Sequence, residues 1–138
     1  MEIGGFLCFF PLSYAALSDF RRRIIPDSTI FLIFSCAAMN VAVGCTSLLT
    51  CAIGAFAVGF PLLWLAAAGE IGIGGGDVKL CAAMGALLGL EKMLWLLILA
   101  LLCLTISGKV RKKASLPFAP YVWGAFYILL TVEILQRS

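Results

Sequence analysis

Histidine is absent from the 138-residue chain. Without imidazole there can be no serine–histidine or cysteine–histidine nucleophile pair, no HExxH zinc site and no histidine acid–base chemistry. Charge is scarce as well. Asp, Glu, Lys and Arg make up 12% of the residues, against about 25% in an average soluble domain. No two of the six cysteines form a CxxC pair, so the close thiol clustering of a metal site is missing. Catalysis, if any, falls to carboxylates, thiols, hydroxyls, lysines or backbone. No metal, no other cofactor and no nucleic-acid partner is expected.

Apolar residues are in excess, at 63% against roughly 45–50% in soluble domains, and mean hydropathy is +1.12. A single small domain cannot hide that much apolar surface from water. The same composition excludes disorder. The expectation is an integral membrane protein of one domain, residues 1–138. Cys8, Cys36, Cys45, Cys51, Cys81 and Cys103 all fall in or beside apolar runs, where free cysteine behaves as a small hydrophobe. Cys45 and Cys51 flank a short turn, so pairing is open to them if that turn faces an oxidising compartment. The chain start has no basic region and no A-x-A-like site, so a cleaved signal peptide is not expected.

Six apolar segments are legible: residues 3–17, 28–43, 47–68, 77–90, 93–106 and 121–135. Pro11 interrupts the first, and Glu91-Lys92 separates the fourth from the fifth. A spanning helix needs about 20 residues. The third and sixth segments come nearest, and the shorter ones suit a compact bundle with longer neighbours. The fold class expected is therefore all-α, a polytopic six-helix transmembrane bundle. With six crossings, Arg21, Arg22, Arg23, Lys79, Lys109, Arg111, Lys112 and Lys113 share one side, and Lys92 and Arg137 the other. The positive-inside bias puts the first side in the cytoplasm and both termini outside. Small-xxx-small pairs, Ala55 with Gly59 and Gly85 with Gly89, read as close helix packing.

Ionisable residues at apolar segments are costly and are functional candidates by default. Asp19 closes the first segment and Asp77 opens the fourth. Position alone leaves each with a plain alternative: a solvated boundary charge beside arginines for Asp19, and a helix N-cap for Asp77. The glycines before Asp77, at 72, 74, 75 and 76, shift the weighting. A backbone bare of side chains lets a second backbone come close, as a peptide substrate beside a carboxylate requires. No GK[ST] follows, so this is no phosphate loop. The dinucleotide fingerprint fails too, because Asp occupies position 77 where it needs glycine. Two aspartates from different helices can form a dyad that shares one proton. One takes a proton from water while the other, protonated, polarises the scissile carbonyl and then supplies the leaving amine.

Three elements, Tyr14-x4-Asp19-x-Arg21-x-Arg23-Ile24-Ile25-Pro26, Gly74-Gly75-Gly76-Asp77-Val78-Lys79-Leu80 and Leu116-Pro117-Phe118-Ala119-Pro120, resemble the type IV prepilin peptidases. These are GxGD-type intramembrane aspartic proteases. The resemblance runs from about residue 12 to 125. It implies catalytic aspartates at Asp19 and Asp77, six helices, and cleavage at the cytoplasmic boundary of the inner membrane. The implied substrate is a pilin-like precursor with a short polar leader, a Gly before the cut and a hydrophobic helix. It also implies that Gly74, Gly75, Gly76 and Lys79 meet that substrate. The chain looks like the short, peptidase-only form, without the CxxC-bearing region associated with methylation.

Other residues keep plain expectations. Asp27 or Ser28 is read as the N-cap of the second segment, with an Asp27–Asp77 dyad as the rival. Glu70 is read as a solvated loop charge. Lys79 either snorkels to headgroups or tunes the dyad and substrate, and the 109–113 basic cluster sets topology. A related protease for preflagellin or signal-peptide-type substrates is one alternative function. A non-catalytic scaffold or small transporter is another, although a transporter should carry its charges near the midplane.

Overall fold

The computed structural model describes residues 3–22, 24–68, 74–111 and 118–138. Arg23, Glu70, Gly72, Lys112, Lys113, Leu116 and Pro117, which enter the sequence reading, lie outside the described residues. The described chain is all helical: α1 Ile3–Arg22, α2 Asp27–Ala42, α3 Leu48–Ala68, α4 Gly75–Arg111 and α5 Ala119–Arg137.

Among the described residues five helices replace the six expected, and the difference lies within α4. Glu91-Lys92 does not open a loop. The interruption is Gly89 alone, at φ 78° and ψ 171°, with helical residues on both sides. A left-handed φ costs an L-residue roughly 1–2 kcal/mol, and glycine escapes that cost. One glycine therefore breaks the helix with no polar loop to mark it in the sequence. Further boundaries also move. Pro11 lies inside α1, which continues to Arg22. Arg21 and Arg22 occupy its last turn, where cations favour the negative end of the helix dipole. The helix α4 likewise runs through Arg111 instead of ending at 106.

Among the described residues, three helical stretches are long and apolar enough to cross a membrane: Leu48–Ala68, Gly75–Ser107 and Ala119–Gln136. The surface agrees with that. Phe10, Phe31, Phe56, Trp64 and Leu135 are each at least 70% exposed, which suits hydrocarbon and not water. The protein is a membrane protein. Inside, Leu12, Ile33, Leu80, Met84, Met93 and Phe126 are buried in a core shared by the helices. All six cysteines are thiols, Cys45 and Cys51 included.

Two kinds of contact set the helices in register. Helices α3 and α4 meet backbone to backbone: a Cβ at Gly54 would collide with the Gly85 carbonyl, and one at Gly59 would lie 2.9 Å from Ala82 Cβ. Small residues permit that approach. The other contacts join α1 to α4 and α5. Cys8 Sγ lies 3.9 Å from Met84 Sδ. Trp123 Nε1 donates to Ser13 Oγ at 2.8 Å. Phe9 packs on Trp123 and Tyr127, with ring centroids 5.9 and 6.5 Å apart. Low numbers in α1 meet higher numbers in both partners, so α1 runs antiparallel to the first half of α4 and to α5. The end of α1 therefore meets the starts of α4 and α5.

Candidate functional site

At that end of the molecule the last turn of α1 faces the first turns of α4 and α5. Asp19 is on α1 and is 6% exposed, so it is not the solvated boundary charge that position alone allows. Its Oδ2 accepts a hydrogen bond from the Ala119 backbone N–H at 2.9 Å, in a buried contact. The N–H groups at a helix start have no partner in their own helix, so an anion from elsewhere is favoured there.

Asp77 sits on the third residue of α4 and is partly buried. It is not an N-cap. Gly74 precedes the helix and its carbonyl accepts from the N–H groups of Asp77 and Val78, at 3.0 and 3.3 Å. The Asp77 carboxylate bends back and takes a backbone hydrogen bond from Gly74, which is the acidic half of a capping box. From there it feels the charge of Asp19. The structure thus places Asp19 and Asp77 on different helices at the same end of the bundle, near enough for the charge of Asp19 to act on Asp77. Asp27 is not the carboxylate coupled to Asp77 among the described residues.

The three glycines of the motif differ in surroundings. A Cβ on Gly74 would sit 3.3 Å from Asp77 Oδ2, and one on Gly76 would sit 3.3 Å from Ile25 Cβ. One on Gly75 would meet nothing within 4 Å. Gly76 is therefore the position where the α1–α2 connection presses on the start of α4, and Gly75 is the open one.

Asp27 differs from its expected role. The helix α2 begins with Pro26 at the cap position and has no side-chain cap bond. Thr29 instead closes the turn, its Oγ1 donating to the Pro26 carbonyl at 2.7 Å. Asp27 Oδ1 pairs with Lys79 Nζ at 2.9 Å, with both side chains exposed. This link from α2 to α4 beside the carboxylates was not anticipated, and neither was the Ala119 contact. The signal for Ala119 was present: proline in the first turn marks a helix start, and Pro120 follows Ala119. No group of three or more metal-ligating side chains occurs among the described residues.

A buried carboxylate, Asp19, and a partly buried one behind glycines, Asp77, thus lie at helix ends in an apolar bundle. Residues 6–109 fit the type IV leader peptidase family. The chain belongs to that family. It is 34% identical over 130 residues to the prepilin leader peptidase/N-methyltransferase of Burkholderia pseudomallei, covering 84% of this chain and 41% of that protein. With the protein of the same name from Neisseria gonorrhoeae it shares 30% identity over 143 residues, covering 96% of this chain and 50% of the relative. The Aeromonas hydrophila protein of that name is 32% identical over 126 residues, or 81% and 43% of the two chains. The chain thus spans half or less of the length of these relatives. No solved structure matches it.

Proposed function

We propose that this chain is a membrane-embedded aspartic endopeptidase that removes the short leader of type IV prepilin-like precursors. The observation that carries the reading is the placement of Asp19, buried in the last turn of α1, and Asp77, in the first turn of α4, at one end of an apolar bundle. Two like charges at short range favour keeping one proton between them. In the reaction one carboxylate takes a proton from water, and the water oxygen bonds to the scissile carbonyl carbon. The protonated partner polarises the carbonyl oxygen. As the C–N bond breaks, the dyad protonates the leaving amine and returns to its starting charge. One water is consumed, and this route needs neither histidine nor metal.

Gly74, Gly75 and Gly76 hold the substrate strand extended beside Asp77, with Gly75 the most open of them. Lys79 extends the same edge toward the precursor. The precursor's hydrophobic helix lies in the bilayer, which brings its leader junction to the carboxylates. The enzyme spans the inner membrane six times with both termini outside. A 33-residue apolar stretch such as Gly75–Ser107 would be about 50 Å long as one helix, well beyond a core of roughly 30 Å. A reversal at Gly89 resolves the excess into two crossings. Arg21, Arg22 and Lys79 at the carboxylate end make that end cytoplasmic by the positive-inside bias.

Co-expression with candidate precursors tests the reading. A precursor with a basic leader, a glycine before the cut and an apolar helix should shift to its mature size on a gel only when this chain is present. Cleavage of none across a panel of such precursors contradicts the substrate class.

A further inference from the structure

The Phe118-Ala119-Pro120 stretch has no part in the scheme above, although it touches Asp19. Along the first turn of α5, Pro120 has no N–H to give. The Tyr121 and Val122 N–H groups both turn to the Phe118 carbonyl, at 3.0 and 3.2 Å. Phe118 supplies no side-chain cap. Within that turn the Ala119 N–H alone points to an acceptor outside the helix, and it finds Asp19 Oδ2 at 2.9 Å. Ala119 itself is 0% exposed, so the contact is shielded from water. The Trp123–Ser13 bond and the Phe9–Trp123 ring contact hold α1 and α5 in register one to three turns away.

A donor bonded to one carboxylate oxygen withdraws that oxygen from proton exchange and fixes the carboxylate plane. We propose that the Ala119 N–H is a positioning group of the active site. It engages Oδ2 of Asp19 and leaves Oδ1 as the oxygen that exchanges protons with water and Asp77. Pro120 keeps the arrangement single-valued, because no second donor in that turn competes for the carboxylate. The inference rests on the aspartic reading and deepens it: the third motif becomes the backbone support of the first aspartate.

The test replaces the Ala119 amide by an ester, with lactic acid in place of alanine in cell-free synthesis. The methyl group stays and only the N–H is lost. Cleavage of a synthetic precursor peptide with a basic leader, a glycine before the cut and an apolar helix is followed in detergent, together with the folded fraction at assay temperature. A hydrogen bond to a charged group carries roughly a 10–100-fold effect. The ester should therefore lower kcat by roughly 10–100-fold, with KM within about twofold and the folded fraction unchanged. Ala119→Pro also lacks the donor but pushes Phe118, at φ −82° and ψ −40°, out of the α region, so it should repeat the kcat loss per folded molecule with a lowered folded fraction. An ester enzyme with unchanged kcat overturns the inference. So does a loss that only tracks unfolding in both variants. Asp19→Asn and Asp77→Asn in the same assay separate the layers. If both are dead while the ester is normal, only the positioning role fails; if Asp77→Asn cleaves, the aspartic reading itself fails, and if Asp19→Asn alone cleaves, the assignment of the first aspartate fails.

Discussion

Asp27 and Lys79 show how much a single contact changes the reading of a residue. Their ion pair is 2.9 Å long with both side chains exposed, and exposed pairs contribute about 0–1 kcal/mol. Asp27→Asn should therefore lower stability by at most about 1 kcal/mol and leave substantial cleavage, read from thermal unfolding and initial rates. Loss of activity as complete as that of an Asp77 variant would move Asp27 into the reaction. Gly76 carries a larger expectation. A β-branched side chain there presses on Ile25, because even an added Cβ would sit 3.3 Å from Ile25 Cβ, and it restricts φ. Gly76→Val should damage cleavage more than membrane insertion or thermal stability, and equal losses would mark a purely structural turn. Sequence pattern and the family resemblance mark Asp19, Asp77 and the glycines as candidates, because motif and segment ends are local. They could not reach the Asp19–Ala119 bond, which joins positions 100 residues apart. Sequence pattern also gave Asp27 a cap role, when Pro26 and Thr29 already form that turn.

Helix ends follow rules that composition hides. The apolar run of α1 stops at residue 17, yet the helix continues to Arg22. The extension carries Asp19 into the last turn, under the start of α5. In α4 the polar pair Glu91-Lys92 looked like a loop, whereas Gly89 makes the break. Lys92 remains helical and pairs with Glu133 of α5 at 3.0 Å. A lone glycine in an apolar run reads equally as packing or as a hinge, and only the backbone angle separates the two. Gly89→Ala should destabilise the protein by roughly 1–2 kcal/mol, because alanine resists positive φ. Its Cβ would also sit 3.2 Å from Thr50 Cγ2. Thermal unfolding in detergent reads this directly, and an unchanged midpoint would mean that α4 straightens without cost.

At the scale of the whole molecule, all-α class and membrane residence were legible from composition, and the helices agree in type and rough position. Charge placement orients the helices, with Arg21, Arg22 and Lys79 at the carboxylate end. Reporter fusions after Lys113 and after Ser138 should report the cytoplasm and the outside respectively, and the same side for both would break the six-crossing topology. The central claim is that Asp19 and Asp77 act as one proton-sharing unit. It is tested most directly by the precursor cleavage rates of Asp19→Asn, Asp77→Asn and the double variant, each confirmed as inserted and folded. Asparagine keeps size and most hydrogen bonding but cannot exchange a proton. All three should be inactive to about the same degree, since residues acting as a unit are not additive. Normal cleavage by Asp77→Asn would contradict the account and leave Asp77 as no more than the acidic half of a capping box.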